Sequence, residues 1–188
     1  TVPLYYENRI PELELTNKDL NEEMETLLDE ASLDEEEEKK IERQFARQYH
    51  LITREDRLKT VAKDLVSHLM GRGHHGKAMV VSIDKATALR MYNYVSERWE
   101  AYKQDLIKQK AHSSDPVNRA VLDNQIAFME ETDMALVVSS AQAEIPDMKK
   151  KGLDIAPHRK RMVDEDLEKK FKDPDDPLRL VFVCAMWM

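Results

Sequence analysis

A single cysteine, Cys184, stands in 188 residues. It excludes an internal disulfide framework and any zinc site built on several cysteines, and it suits a reducing compartment. With four glycines and only 6% aromatic residues, the chain lacks the turn-rich composition of an all-β sandwich. No run approaches the roughly 18 apolar residues needed to cross a bilayer. Nor do Thr1-Val2-Pro3 begin a basic and then apolar leader. These absences predict a soluble, untargeted, helix-rich chain of about one domain, long enough to bury a core without staples.

Charge is abundant at 35% and sums to −8, a balance that at first sight opposes nucleic acid. Its distribution reverses that impression. Residues 1–40 carry 14 acidic and 4 basic side chains, a net of −10, which leaves +2 for residues 41–188. Steering fields follow the distribution of charge rather than its total, so the larger part of the chain is free to face a polyanion.

Val2-Pro3-Leu4-Tyr5-Tyr6 reads as a short strand with proline at its start, where a missing donor is tolerated. From Asn17 the apolar spacing becomes helical, and Asp34-Glu35-Glu36-Glu37-Glu38 opens a second helix running to about His50. The glutamate run reads as a solvated helix start. A third helix follows, with Thr53 as expected N-cap and Leu58, Val61, Ala62, Leu65, Val66 and Leu69 as its apolar stripe.

Beyond a glycine loop the pattern changes. Met79 to Ile83 and Met134 to Val138 are short apolar runs that close on polar residues, the first at Asp84-Lys85 and the second at Ser139-Ser140. Leu178 to Ala185 is a third such run. All three read as strands buried on both faces, as in a parallel sheet. Between them lie helical stretches at Lys85 to about Lys110, Arg119 to Glu131, and from Pro157 through Met162, Leu167 and Phe171 to the stop at Asp173-Pro174. Strand and helix in alternation predict an α/β fold with a parallel sheet and flanking helices, its binding edge beyond the carboxyl ends of the strands. Ser82, Lys85, Thr87, Ser139 and Ser140 are then the residues expected to share that edge. Hydroxyls, a lysine and helix N-terminal amides suit phosphate contacts that do not read bases.

Other motifs carry less. Gly71-Arg72-Gly73-His74-His75-Gly76-Lys77 has the glycine and lysine spacing of a phosphate loop, but alanine follows the lysine where Mg²⁺ needs a hydroxyl. The loop also leads from helix to strand, the reverse of the required order. His68, His74 and His75 lack an acidic or cysteine partner at metal-ligand spacing, so no metal site is expected. Cys184, inside an apolar run, reads as a structural thiol. Lys149-Lys150-Lys151 and His158-Arg159-Lys160-Arg161 are the densest basic segments, read as solvated surface with phosphate contact as the alternative.

Several segments, in order along the chain, resemble the restriction subunit of type I restriction enzymes. They are Val2-Pro3-Leu4-Tyr5-Tyr6-Glu7, residues 49–57 (YHLITREDR), Gly76-Lys77-Ala78-Met79-Val80-Val81-Ser82, residues 171–178 (FKDPDDPL) and residues 181–188 (VFVCAMWM). The resemblance implies the second RecA-like lobe of a superfamily 2 helicase motor. Residues 1–16 would supply its first strand, 17–70 a mainly helical insertion, and 71–188 the lobe itself, cut at the start of helicase motif V. It implies ATP and Mg²⁺ as cofactors of the complete protein. It also implies double-stranded DNA with methyltransferase and specificity subunits as partners, and a bacterial or archaeal cytoplasm. Phosphate-loop, acidic Mg²⁺ and nuclease motifs lie outside residues 1–188, so no catalytic residue is assigned and the segment alone is expected to be inactive. The alternatives are a lobe of another superfamily 2 helicase or translocase, or a non-enzymatic α/β interaction module.

If the glycine loop is no nucleotide site, Lys77→Ala in the complete subunit will leave ATP affinity nearly unchanged. Equilibrium nucleotide binding checks this, and a loss of about tenfold, about 1.4 kcal/mol, would reinstate the loop.

Overall fold

The computed structural model describes residues 49–73 and 76–184. The strand expected at Val2–Tyr6, the helices expected before residue 49, the pair His74 and His75, and the last four residues lie outside them. The chain divides into two compact units, Thr1–Thr60 and Val61–Met188.

In the described part of the first unit, residues 49–53 are helical. Thr53 is not the expected N-cap acceptor. Its Oγ1 donates to the Tyr49 carbonyl at 2.8 Å, closing the turn behind it. Helix α1 (Glu55–Gly71) follows, with Glu55 and Asp56 in its first turn where carboxylates complement the helix dipole. Its buried residues Leu58, Ala62, Val66 and Met70 recur every four positions, a narrower ridge than the stripe expected from sequence. Gly73 beyond its end adopts φ 66°, a left-handed conformation that suits glycine.

The second unit is built on three parallel strands, β1 (Ala78–Ser82), β2 (Asp133–Val137) and β3 (Leu178–Cys184), in spatial order β1-β3-β2. Ser82 lies opposite Cys184 and Val137 opposite Val183, so all three carboxyl ends share one edge. Five helices connect and cover them. Helix α2 (Lys85–His112) starts where Asp84, in extended conformation, accepts the Thr87 N–H at 2.6 Å. Helix α3 (Pro116–Glu131) starts earlier than Arg119, because Asp115 caps it and Pro116 suits its first position. The two form a hairpin pinned by the Trp99 indole N–H, which donates to the Met129 carbonyl at 3.1 Å.

Helix α4 (Glu144–Lys150) is short. The helix expected from Pro157 onward is two: α5 (Ala156–Asp164) and α6 (Leu167–Lys172). Glu165 between them is extended, and Asp166 accepts the Lys169 N–H at 3.0 Å to start a new first turn.

Alternation along β3 assigns the two faces of the sheet. Phe182, fully buried, meets the Tyr92 ring of α2 edge-on at 5.4 Å. Its neighbour Val181 points the other way, into a cluster with Ala135, Leu167 and Leu178 that Met162 and Phe171 complete. Helix α2 therefore backs one face, against all three strands, while α5 lies on β2 and α6 on β3 across the other. This arrangement corrects one expectation. β1 is not buried on both faces: Met79 and Val81 are 55% and 61% exposed. They align with Val181 and Val183, on the face where α5 lies on β2 and α6 on β3.

Phe182→Ala is expected to destabilise the protein by about 3–5 kcal/mol through lost burial and a residual cavity. Met79→Ser on the open face is expected to stay within about 0.5 kcal/mol. Chemical denaturation of both variants measures the contrast.

Candidate functional site

The shared edge of the sheet carries the residues singled out in the sequence, but it does not present them equally. Ser82 ends β1 and is buried, and Thr87 in the first turn of α2 is only 3% exposed. The Thr87 hydroxyl finds no hydrogen-bond partner among the described residues. Ser139 and Ser140 follow β2 in an irregular, exposed segment. Lys85, the first residue of α2, is partly exposed and extends its Nζ to within 3.5 Å of Glu144 Oε1.

At this edge sequence reasoning missed Glu144, and it read Arg159 only as part of a basic segment, solvated surface with phosphate contact as the alternative. Glu144 opens α4 directly after Ala143, whose φ of 58° is in the left-handed region. Its carboxylate is 6% exposed and would be costly to bury alone. Arg159 of α5 supplies the main compensation. Its Nε and Nη2 donate to Glu144 Oε2 at 3.0 and 2.6 Å. The same guanidinium donates to the Val138 carbonyl through Nη1 and to the Ser139 carbonyl through Nη2, both at 3.0 Å. One planar fork thus ties the segment after β2 to the start of α4, a geometry open to arginine and not to lysine. Through Glu144 the tie reaches Lys85, on the far flank of β3. Lys85 and Ser139 are thereby joined in one network, while Ser82 and Thr87 are turned into the core.

The basic segment that holds Arg159 faces inward at a second point. Arg161 pairs with the Asp133 carboxylate, donates to the Met134 carbonyl at 2.9 Å, and binds Glu165 Oε1 at 3.0 Å. Asp133 and Met134 flank an irregularity in the register of β2 against β3. Lys170 completes the group on Glu165 at 2.6 Å, and these two cations hold the Glu165 carboxyl below its usual range. Lys149, Lys150 and Lys151 remain exposed at the end of α4, with Lys150 beside Asp147. The amine of Lys77 is engaged structurally as well. It donates to the Lys170 carbonyl at 2.8 Å, at the end of α6, and lies over the Phe171 ring. Among the described residues no group of three or more His, Cys, Asp or Glu side chains could hold a metal ion. No described helix is long and apolar enough to cross a membrane. Cys184 is half-buried rather than fully enclosed.

His158, beside Arg159 in α5, stacks edge-on against Tyr92 at 4.5 Å. Burial lowers its pKa, with Arg161 adding to the shift and Asp154 opposing it.

Over its full length the chain is 30% identical, across 190 aligned residues, to a protein of Methanocaldococcus jannaschii named as the type I restriction enzyme MjaIXP endonuclease subunit. It is 25% identical over 140 residues, 73% of the chain, to the type I restriction enzyme HindI endonuclease subunit of Haemophilus influenzae. It spans 15% of the first relative's length, and its match covers 11% of the second. No family model matches the chain, and no solved structure matches it.

A folded-state pKa below the unfolded value, about 6.5, means that the neutral ring of His158 favours the fold above that pH. That contribution is lost as pH falls through the folded pKa. Thermal melts from about pH 7 to about pH 5 are expected to fall less steeply for His158→Gln than for the parent protein.

Proposed function

Because the chain belongs to the endonuclease-subunit family of type I restriction enzymes, we propose that it is part of the second RecA-like motor lobe of such a subunit, contacting duplex DNA during ATP-driven translocation. One observation carries this reading: a parallel sheet whose strand ends place Lys85 and the Ser139–Ser140 segment along one edge. The complete protein would couple ATP hydrolysis to DNA movement and then cleave, working with methyltransferase and specificity subunits in the cytoplasm.

The residues present do not fit ATP and Mg²⁺ at the glycine loop, since the Lys77 amine is held by the Lys170 carbonyl and the Phe171 ring. What its own residues do is grip. Lys85 supplies a positive charge beside the first turn of a 28-residue helix, and Ser139 and Ser140 supply hydroxyls on an exposed segment. Contacts of this chemistry hold a phosphodiester without reading bases, as a protein moving along any sequence requires. Ser82 and Thr87, being buried, would shape this edge from beneath rather than touch the backbone.

The test is DNA binding by the full-length subunit across a salt series. Lys85→Ala is expected to reduce the slope of log affinity against log salt by about one, equally for unrelated sequences. Ser139→Ala with Ser140→Ala should weaken binding with little change in slope. An unaltered slope in Lys85→Ala would remove the edge from the DNA path.

A further inference from the structure

We propose that Glu144 regulates the grip of this edge by competing with DNA phosphate for Lys85. The inference rests on the DNA-facing reading of Lys85. The two contacts of the carboxylate differ in kind. Arg159 holds Oε2 through two N–H groups at 3.0 and 2.6 Å, and its remaining Nη donors are anchored on the Val138 and Ser139 carbonyls. Lys85 reaches Oε1 through a single long contact of 3.5 Å. Charge-assisted bonds of the first kind are short and directional, whereas a lysine ammonium at that distance is a loosely held point charge.

Glu144 is therefore fixed by α5 and cannot follow Lys85 outward. Lys85 is 20% exposed against 6% for Glu144, so it is the partner with access to solvent. A phosphate arriving at this edge exchanges one anion for another at the same ammonium. The net gain is smaller than for a lysine that starts in water, and release is easier by the same amount. The covalent framework does not change; a proton is neither gained nor lost. The cluster holds two cations to one carboxylate, so it retains positive charge for the incoming anion while spending part of it internally.

This separates two roles for one residue. If Glu144 only stitches α4 to α5, its removal weakens the fold and leaves the phosphate contact unaltered or poorer. If it competes, its neutralisation strengthens the contact, and only while Lys85 is present.

The experiment uses the full-length subunit and a duplex of arbitrary sequence in a salt series. Glu144→Gln keeps an acceptor for Arg159 and removes the charge opposing Lys85. DNA affinity is expected to rise by about twofold to fivefold, with slower dissociation. In the double variant Glu144→Gln with Lys85→Ala, affinity should match Lys85→Ala alone. Unchanged or weaker binding by Glu144→Gln, or a gain that survives loss of Lys85, overturns the proposal. If Lys85→Ala itself leaves the salt slope unaltered, the underlying edge assignment fails first, and the competition fails with it. Should Glu144→Gln fail to fold, Glu144→Asp withdraws the carboxylate from Lys85 by one methylene and keeps its charge for Arg159. It is expected to tighten binding too, and no tightening in a folded Glu144→Asp overturns the proposal.

Discussion

Two arginines on one short helix fix the position of a five-residue strand, and the layout of the sheet edge depends on them. Arg159 binds the Val138 and Ser139 carbonyls just past the end of β2, while Arg161 binds the Asp133 carboxylate and the Met134 carbonyl at its beginning. Met134 and Val138 are four residues apart, so their backbone groups point to the same side of the strand. The Val138 N–H on that side meets the Met162 sulfur of the same helix. This is the side away from β3, along the outer rim of the described sheet. A strand rim left open offers unpaired carbonyls and amides to any other extended chain. Here guanidinium groups and a thioether occupy those positions, so α5 acts on β2 both as a lid over its face and as a partner along its rim.

The same pair explains why the basic segment was hard to read. In sequence, His158-Arg159-Lys160-Arg161 looks like a patch awaiting phosphate or solvent. Its alternation hides two populations: Lys160 is exposed, while the arginines on either side bend back to backbone carbonyls and to the carboxylates of Glu144 and Asp133. Acceptors of that kind belong to residues 15 to 28 positions away, and local pattern carries no record of them. Glu144 was opaque for the same reason. A carboxylate in the first turn of a helix is ordinary, and only its partners across the edge distinguish it.

Much else was legible, because it is decided locally. Apolar runs bounded by polar residues mark all three strands, and the polar close of the first run at Asp84-Lys85 marks the start of α2 by chemistry confined to a few residues. The alternation of strand and helix was enough to imply parallel pairing. Periodicity could not reveal the break at Glu165, since Met162, Leu167 and Phe171 contribute to one apolar cluster whether or not the helix between them is continuous. Nor could it reveal that β1 lies at one side of β3 with Met79 and Val81 uncovered. An apolar run has the same composition at the centre of a sheet and at its border, and strand order is a property of the whole chain. At the candidate edge Ser139 is exposed and Lys85 partly so, whereas Ser82 and Thr87 are buried, and polarity alone does not say which small hydroxyl residues are turned into the core.

Helix α2 begins at Lys85 and continues for 28 residues to His112. At 1.5 Å per residue it is about 42 Å long, whereas the strands beneath it span roughly 16–23 Å. About half of the helix therefore overhangs the sheet, stiffened by the α3 hairpin and by Trp99 bonded to Met129. The distal half of α2 and the start of α3 thus form a helical hairpin that reaches beyond the strands, with Ser113 and Pro116 at its tip, and contacts made there are carried to the sheet edge by one unbroken helix.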